Sequence, residues 1–272
     1  FCAPTRGSAR SPRRQHFAPR TCASPRRHRR ARAMRLPASL SPPGEPLTLR
    51  RVDVSFQPAL AAPISVFEAA SPDEILERAL TSEEDAYSAR IWPSSYAASS
   101  ALLECLAAEP GSSVFELGCG PGMPSLVALA AGAGSVTATD WSPLALALTT
   151  HAAVSFQPSR AERLETLRLD IFDETSDVDA EWLVAADMLY DSSLAEAVGR
   201  RVAMHLDRGG RAVLADPGRP GGRDALLRGM RSKNTARATR AARAGFVEHA
   251  LPRRWRPSRS AKVSVGICVL EP

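Results

Sequence analysis

The feature that most constrains this chain is the stretch at residues 114–140, which reads VFELGCGPGMPSLVALAAGAGSVTATD. It predicts an apolar strand, a glycine loop, an apolar helix and a second, β-branched strand that ends in an acid. Because Gly118, Gly120 and Gly122 have no Cβ, a ligand can lie directly on the backbone of this loop. Asp140 follows Gly118 by 22 residues, where a carboxylate can accept hydrogen bonds from both hydroxyls of a ribose. The stretch therefore predicts a site for a cofactor that contains a nucleoside.

The spacing within the loop favours one nucleoside cofactor over another. A loop for NAD requires a third small residue, in the pattern G-x-G-x-x-G or G-x-G-x-x-A, whereas this chain has Met123 at that position. The loop instead reads E-x-G-x-G-x-G and resembles the first motif of class I S-adenosylmethionine (SAM) methyltransferases. We therefore predict SAM as the cofactor, with Asp140 bound to its ribose. The small size of cysteine is by itself another explanation for Cys119 in the loop. The resemblance implies cofactor contacts along the loop at Glu116, Gly118, Cys119, Gly120 and Gly122.

The same resemblance implies the fold class. Class I methyltransferases have an α/β, Rossmann-like fold with a seven-stranded, mostly parallel sheet, helices on both faces and an antiparallel last strand. We expect a disordered, Arg/Pro-rich leader at residues 1–46, an extension with a strand and helices at residues 47–110, and the SAM-binding core at residues 111–272. A chain of 272 residues is long enough to bury a core of this size.

The leader differs in charge from the rest of the chain. Residues 1–35 contain 11 arginines and no acidic residue, whereas the other 24 basic and 29 acidic residues give the body a net charge of −5. Such an acid-free segment, rich in Ser, Ala, Pro and Arg, resembles an organellar transit peptide and predicts a chloroplast or a mitochondrion. One alternative is a translation start at Met34, which predicts the cytoplasm. Another is a basic arm for nucleic acid, although no aromatic residue other than Phe17 is interleaved with the arginines.

The five cysteines show no C-x-x-C pair and no spacing typical of metal ligands. They predict free thiols or core residues, with no metal and no disulfide framework. No apolar run approaches the roughly 20 residues that span a bilayer, so we expect no membrane partner.

Before the glycine loop, the sequence predicts a hairpin and two helices. Residues 47–56 alternate in polarity but slip by one at Arg50-Arg51, which predicts a strand with a bulge, and residues 64–67 predict its partner. Ser71 and Glu74 form an S-x-x-E capping box at the start of the first helix. The predicted apolar face of that helix consists of Ile75, Leu76, Ala79 and Leu80.

An acidic-aromatic stretch that includes Asp85 and Tyr87, and then the pair Trp92-Pro93, precede the second helix. This order resembles the seven-strand protein-lysine methyltransferases, and it implies that Trp92 lies beside the cofactor. By residue type alone, Trp92 is instead a core tryptophan that Pro93 holds extended.

Two more cofactor contacts are predicted after the second and third strands. Trp141 directly follows the ribose acid, so its ring can lie against the adenine or simply cover the edge of the sheet. Residues 164–170 predict the third strand. The resemblance implies that Asp170 accepts from the adenine amino group and that Ile171 adds backbone and apolar contact. Asp173 is a nearby competitor for the role of Asp170.

The most specific local motif ends the fourth predicted strand, WLVAADMLY. Asp187-Met-Leu-Tyr190 resembles the D-x-x-Y motif of the lysine-methylating group, which implies catalytic roles for Asp187 and Tyr190 and a cofactor contact for Ala186. Ligands bind at strand ends in open α/β sheets. The alternative is that Asp187 caps the following helix and Tyr190 fills the core. A capping box at Ser193 and Glu196 predicts the start of that helix.

Residues 211–215 predict strand five, which Asp216-Pro-Gly-Arg219 closes. D-P-G-R after D-M-L-Y resembles the electron-transfer-flavoprotein β-subunit lysine methyltransferase branch, although a rigid turn alone also explains these four residues. Residues 231–259 carry eight arginines, show no such resemblance and predict a solvated basic face. Residues 263–270 predict the last strand.

Together these features predict a SAM-dependent protein-lysine N-methyltransferase whose partner is a protein that presents a lysine. The alternatives are an RNA methyltransferase that binds through residues 231–259, a small-molecule N-methyltransferase, and a SAM-binding assembly factor without turnover. A lysine amine is nucleophilic only when neutral, which is rare at pH 7 because its reference pKa is about 10.4. Burial in a narrow apolar channel lowers that pKa, and Asp187 and Tyr190 then orient the amine and disperse its developing charge.

Overall fold

The computed structural model describes residues 34–35, 47–81, 85, 87–233, 245–252 and 264–270. Most of the predicted leader, residues 1–33 and 36–46, lies outside them. The strands are β1 (Met34–Arg35), β2 (Thr48–Val54), β3 (Ile64–Ala69), β4 (Val114–Leu117), β5 (Val136–Asp140), β6 (Leu164–Arg168), β7 (Trp182–Ala186), β8 (Arg211–Asp216), β9 (Val247–Ala250) and β10 (Ser264–Leu270). The helices are α1 (Pro72–Thr81), α2 (Pro93–Ala108), α3 (Met123–Ala131), α4 (Pro143–Phe156), α5 (Ser192–Asp207) and α6 (Gly222–Ser232).

The larger sheet has seven strands in the order β6-β5-β4-β7-β8-β10-β9. Neighbours from β6 to β8 pair in parallel, β10 runs antiparallel to β8, and β9 runs antiparallel to β10. The predicted α/β, Rossmann-like fold class is therefore confirmed, including the antiparallel last strand. From β4 the chain first moves outward through β5 and β6, and then returns to the other side of β4 as β7. Open sheets bind ligands where the strand order reverses, so the carboxyl ends of β4 and β7 mark the expected site.

Helices cover both faces of this sheet. On one face α2, α3 and α4 bury side chains such as Leu102, Leu126 and Leu148, each 0% exposed. On the opposite face α5 and α6 pack through side chains such as Val198 and Leu226. Each Å² of apolar area that this packing removes from water stabilises the folded state by about 25 cal/mol. Because strands covered on both faces have no solvent side, the central parallel strands β4, β7 and β8 are mostly apolar, whereas the edge strand β6 is not.

The smaller sheet is a hairpin of β2 and β3 with β1 paired to the other edge of β2. Two residues of the predicted leader, Met34 and Arg35, thus lie in a strand. The pairing from Leu49 to Val54 is continuous, so the bulge predicted at Arg50-Arg51 is wrong. Leu49 and Val54 are both buried and lie on opposite faces of the strand, because side chains alternate along it. Both faces of the hairpin are covered, and the slip in the pattern needs no bulge.

The start of α1 differs from the predicted capping box. Ser71 Oγ does accept a hydrogen bond from the Asp73 amide, at 3.2 Å. Glu74, however, accepts from the amide of Thr48 at 3.1 Å. The predicted capping box is wrong because the Glu74 carboxylate connects α1 to β2 and does not accept from the amide of Ser71.

The start of α5 is capped by a residue that the sequence pattern did not indicate. Asp191 Oδ1 accepts hydrogen bonds from the amides of Ser193 and Leu194, each at 2.9 Å. Glu196 instead forms an ion pair with Arg228 of α6. The predicted box at Ser193 and Glu196 is wrong because the helix cap is Asp191, whose carboxylate takes the Ser193 amide that Glu196 would accept.

The predicted apolar face of α1 is only partly buried. Ile75 is 1% exposed, whereas Leu76 and Leu80 are 54% and 79% exposed. The helix packs against β3, which covers one line of side chains. The prediction for Leu76 and Leu80 is therefore wrong.

Several strand ends also differ from the predictions. β7 ends at Ala186, and not at Tyr190, because Asp187 has a φ of 62° that takes the chain out of the extended region. β6 ends at Arg168, two residues before Asp170. Within residues 231–259 the sequence did not predict β9, and residues 234–244 and 253–259 of that basic segment lie outside the described residues. No helix in the described part of the chain combines the length and the apolar character needed to span a bilayer.

Candidate cofactor and acceptor site

A cavity of about 410 Å³ opens at the carboxyl ends of β4, β5 and β7, where the strand order reverses. Sites for small molecules measure about 300–1,000 Å³, so the volume suits a nucleoside cofactor. Ten of the thirteen predicted site residues line it: Trp92, Gly118, Gly120, Asp140, Trp141, Asp170, Ile171, Ala186, Asp187 and Tyr190. The tertiary structure brings together residues that are up to 98 positions apart in the chain.

The glycine loop forms one wall of the cavity through its backbone. Gly118 and Gly120 have φ values of 65° and 50°, which favour glycine because a Cβ is strained there. A Cβ on Gly118 would also lie 2.1 Å from Sδ of Met188, so the loop and the segment after β7 are in close contact. The amide of Cys119 donates to the carbonyl of Thr139 at 2.8 Å and fixes the loop against the end of β5.

Asp140 faces this loop from the end of β5. Its Oδ2 accepts from the Gly120 amide and its Oδ1 from the Ser142 amide, each at 2.9 Å. Each carboxylate oxygen has a further lone pair for another donor. Burial, and then the charge of Asp85, raise the pKa of Asp140 to about 6 in spite of these hydrogen bonds. The carboxylate is thus oriented to accept from the two hydroxyls of a ribose.

Three predicted cofactor residues do not line the cavity. Glu116 is 1% exposed, and its carboxylate accepts from the amide of Ser125 at 2.9 Å and from the Ser125 hydroxyl. Burial raises the pKa of Glu116 to about 8, although these hydrogen bonds oppose the shift. Glu116 therefore braces the first turn of α3 beneath the loop.

Cys119 and Gly122 also point away from the cavity, toward α4. Cys119 is 3% exposed, its Sγ lies 3.7 Å from Oγ1 of Thr149, and burial raises its thiol pKa well above the ordinary value. Gly122 has a φ of 77°, and a Cβ there would lie 2.4 Å from the Thr149 side chain. Close packing of the loop on α4 accounts for both residue types, in agreement with the alternative given above for Cys119.

Aromatic side chains form the rim of the cavity. The rings of Tyr87 and Trp92 lie 5.8 Å apart, and those of Tyr87 and Tyr190 lie 6.2 Å apart. Trp141 is 50% exposed, with the guanidinium of Arg168 4.3 Å from its ring centroid. Trp92 is thus a rim residue and not a core tryptophan. An exposed Trp141 ring beside Asp140 agrees with an adenine contact.

The segment after β6 supplies another wall, and it separates Asp170 from its competitor. Asp170 and Ile171 line the cavity, whereas Asp173 accepts from the amide and hydroxyl of Thr175 and does not line it. The guanidinium of Arg201 donates to the carbonyls of Asp170, Ile171 and Asp173 and holds this segment in place.

Asp187 lies at the end of β7, opposite the glycine loop. Its amide donates to the carbonyl of Ala215, and its Oδ2 accepts from the buried hydroxyl of Ser94 at 2.8 Å. Its Oδ1 forms an ion pair with Arg219. Because Asp191 caps α5, the alternative in which Asp187 caps that helix is wrong.

Tyr190 is half exposed at the mouth of the cavity, so it does not fill the core. Burial, and then the charges of Asp85 and Asp140, raise the pKa of its phenol to about 12. The hydroxyl therefore stays protonated at neutral pH and is available as a hydrogen-bond donor.

The sequence reasoning missed several residues of the site. Most of them directly neighbour predicted positions at strand ends, and that adjacency was the available signal. No such signal indicated the contact of Arg219 with Asp187. The residues D-P-G-R are sufficiently explained as a turn, and the contact becomes evident only when β8 is known to lie beside β7. The further lining residues are Asp85, Tyr87, Ser88, Leu117, Thr139, Leu169, Phe172, Met188 and Leu194. In the described part of the chain, no group of three or more His, Cys, Asp or Glu side chains is arranged to hold a metal.

No protein-family model matches this sequence. The chain is 32% identical over 138 residues to the electron transfer flavoprotein beta subunit lysine methyltransferase of Mus musculus. This match covers 50% of the chain and 52% of the mouse protein, so the chain spans about half the length of the curated relative it matches. The resemblance to this branch, predicted from D-M-L-Y and D-P-G-R, is confirmed as a similarity over that half.

Three solved structures illustrate proteins with a similar chain path. The magnesium protoporphyrin IX methyltransferase ChlM of Synechocystis, with bound SAM, has a TM-score of 0.48 at 14% identity and covers 75% of this chain and 92% of its own. TrmN of Thermus thermophilus has a TM-score of 0.43 at 23% identity, covering 64% and 47%. A SAM-dependent O-methyltransferase of Thermotoga maritima has a TM-score of 0.44 at 15% identity, covering 78% and 76%. With TM-scores below 0.5, these likenesses carry no inference about the site.

Proposed function

We propose that this protein is a SAM-dependent protein-lysine N-methyltransferase. The observation that carries the proposal is the position of Asp187: a buried carboxylate, fixed by Ser94 and Arg219, that lines the same cavity as the glycine loop. A site that joins a nucleoside-binding loop to an oriented carboxylate suits transfer from a nucleoside cofactor to a cationic or amine acceptor. The similarity over half of the chain to a lysine methyltransferase supports this acceptor class.

The residues present fit SAM. Asp140 has acceptor lone pairs that would receive the ribose hydroxyls, the backbone of Gly118 and Gly120 would hold the methionine part, and Trp141 and Asp170 would hold the adenine. SAM carries no phosphate, and the loop offers no lysine of the kind that binds phosphates in a P-loop. When bound, SAM supplies a methyl group on a sulfonium, which is an excellent leaving group.

The protein then has to position a neutral amine in line with that methyl group. The acceptor nitrogen forms the new N–C bond with its lone pair, the electrons of the broken C–S bond stay on sulfur, and the methylated ammonium releases a proton to water. Asp187 orients the amine by accepting a hydrogen bond from one of its N–H groups. Tyr190 is protonated at neutral pH and lies at the mouth of the cavity, where an acceptor lysine would enter. An obligatory general base is not required.

The test uses protein that begins at Met34, radiolabelled-methyl SAM and an extract of the source cells. We expect label in a protease-sensitive band that is recovered as methyl-lysine. Asp187→Ala should abolish this label yet keep affinity for S-adenosylhomocysteine in calorimetry. Asp224→Ala, an exposed carboxylate in the first turn of α6, is the matched control and should label like the wild type.

Other results would replace the proposal with one of its rivals. Label in nuclease-sensitive material would assign the protein to RNA methylation, and label only in small molecules would assign it to small-molecule methylation. Affinity for S-adenosylhomocysteine without any label would favour an assembly factor. Full activity of Asp187→Ala would remove the role given to Asp187.

We also propose that the Arg-rich residues 1–46 direct import into a chloroplast or a mitochondrion. The absence of acidic residues before Glu45 supports this. Residues 1–46 fused to a fluorescent protein should bring it into an organelle, and a diffuse cytosolic signal would contradict the proposal. A fusion of residues 34–46 alone is the control for a start at Met34.

A further inference from the structure

Arg219 contacts Asp187 but is not one of the residues that line the cavity. It follows β8 in the turn Asp216-Pro-Gly-Arg219, and its guanidinium forms an ion pair with Oδ1 of Asp187. The Asp187 side chain is 5% exposed and that of Arg219 is 34% exposed. The guanidinium carbon also lies 6.0 Å from the ring centroid of Trp92. Arg219 does not line the cavity, so it acts on the acceptor only through Asp187.

The charge around Asp187 decides which form of an amine is favoured there. A lone carboxylate within about 4–6 Å stabilises an ammonium and raises its pKa by roughly 1–3 units. Only the neutral amine attacks a methyl group, so a lone Asp187 would hold the acceptor in its unreactive form. The paired guanidinium cancels the charge of Asp187 but leaves oxygen lone pairs that can orient an N–H group.

Other charged groups near Asp187 do not replace Arg219. On the β8 side, Asp216 is buried and lies 3.4 Å from Arg223, which also pairs with Glu248. On the α2 side the neighbour of Asp187 is the neutral hydroxyl of Ser94. Arg90 does not line the cavity, and its guanidinium carbon lies 6.0 Å from the ring centroid of Trp92. The titratable groups that line the cavity itself are Asp85, Tyr87, Asp140, Asp170, Asp187 and Tyr190.

We propose that Arg219 is a positioning residue that keeps the acceptor lysine in its neutral, nucleophilic form by neutralising Asp187. This inference rests on the proposed function and deepens it, because it explains how the lysine loses its proton without a general base. The titratable groups that line the cavity are acidic or neutral, and in the described part of the chain Arg219 supplies the ion-pair partner of Asp187. Its removal should therefore leave a site that prefers ammonium.

The experiment compares Arg219→Met and Arg219→Lys with the wild type, using radiolabelled SAM and the source-cell extract at pH 7 and pH 10. Methyl-lysine is counted over a dilution series of the extract, which separates apparent kcat from apparent KM. Arg219→Met should lower kcat about tenfold at pH 7, as one pKa unit implies, with an unchanged or lower KM. At pH 10 this loss should be smaller, because burial lowers the pKa of the bound amine and a larger fraction of it is then neutral in both proteins. Arg219→Lys, which keeps the charge, should follow the wild-type profile.

Controls separate this role from a structural one. Arg228→Met removes an arginine from another ion pair, that with Glu196, and should match the wild type at both pH values. Arg219→Met should melt at a lower temperature, because it leaves the buried Asp187 carboxylate without its ion-pair partner, so activity is measured well below its melting temperature. Its S-adenosylhomocysteine affinity should stay close to that of the wild type. An equal loss of kcat at pH 7 and pH 10, or a loss carried by KM alone, would overturn the inference while the proposed function stands. If the wild type yields no methyl-lysine at either pH, both fall.

Discussion

The carboxylate of Asp140 accepts a hydrogen bond of 2.9 Å from the backbone amide of Gly120. Two features that lie 20 residues apart in the sequence, a glycine loop and the acid at the end of the next strand, are thus one structural unit. The loop orients the carboxylate, and the carboxylate fixes the loop. A change at either residue is expected to disturb the binding of the nucleoside part of a cofactor.

Asp140→Ala should weaken S-adenosylhomocysteine binding by about 10- to 100-fold, because hydrogen bonds to a charged group contribute roughly 1.5–3 kcal/mol each. In the wild type, affinity should also fall as the pH drops below about 6, where Asp140 takes up a proton. Asp140→Asn cannot be titrated there, so its weaker affinity should not change between pH 5 and 8. Isothermal calorimetry over that range measures both effects, and equal pH dependence in the two proteins would contradict the assignment.

Glu116→Gln should keep S-adenosylhomocysteine affinity, since Glu116 does not line the cavity. Its pKa is raised in the folded state from 4.5 to about 8, so its favourable contribution to stability is complete below pH 4.5 and is lost as the pH rises through about 8. Glutamine keeps the acceptor for Ser125 and carries no charge. The variant should therefore match the wild type near pH 5 and melt at a higher temperature near pH 9, by at least about 2 °C if the gain is 1 kcal/mol. A difference in melting temperature that is constant with pH would refute this.

Gly122→Ala should destabilise the fold more than Gly111→Ala, although both glycines have a positive φ. A Cβ on Gly111 meets nothing within 4 Å and costs only the backbone term of roughly 1–2 kcal/mol. A Cβ on Gly122 overlaps the Thr149 side chain, and overpacking adds about 1–3 kcal/mol. In chemical denaturation, Gly122→Ala with Thr149→Ala should cost less than the two single changes together. Additive costs would show that the contact with Thr149 is not the cause.

Ser94→Ala should lower kcat and reduce stability by about 1–3 kcal/mol, because it leaves Oδ2 of buried Asp187 without a hydrogen-bond donor. Ser99→Ala is the matched control in the same helix. Its buried hydroxyl donates to the carbonyl of Ser95 at 2.7 Å, and its loss should be milder and should not affect activity. Equal losses of activity in the two variants would argue against a role for Ser94 in holding Asp187.

Local patterns predicted the parts of this structure that depend on neighbouring residues. The strand, glycine loop, helix and strand of residues 114–140 are predictable because polarity and glycine content act within one unit. Contacts between residues that are remote in sequence could not be predicted from local patterns. The capping boxes failed at Glu74 and Glu196 because Thr48 and Arg228, which are remote in sequence, take those carboxylates.

The sequence alone indicated the strand, glycine loop, helix and acid-ended strand of a nucleoside-binding unit, because hydrophobic periodicity, glycine and a terminal acid act locally. Its resemblance to class I methyltransferases implied the Rossmann-like α/β class and the D-x-x-Y motif. Only the tertiary structure decided that Glu116, Cys119 and Gly122 face the protein interior, since the direction of a side chain depends on what packs against the loop. It also decided that Arg219 reaches Asp187. That ion pair exists because β8 lies beside β7 in the sheet, and strand order arises from the packing of the whole chain.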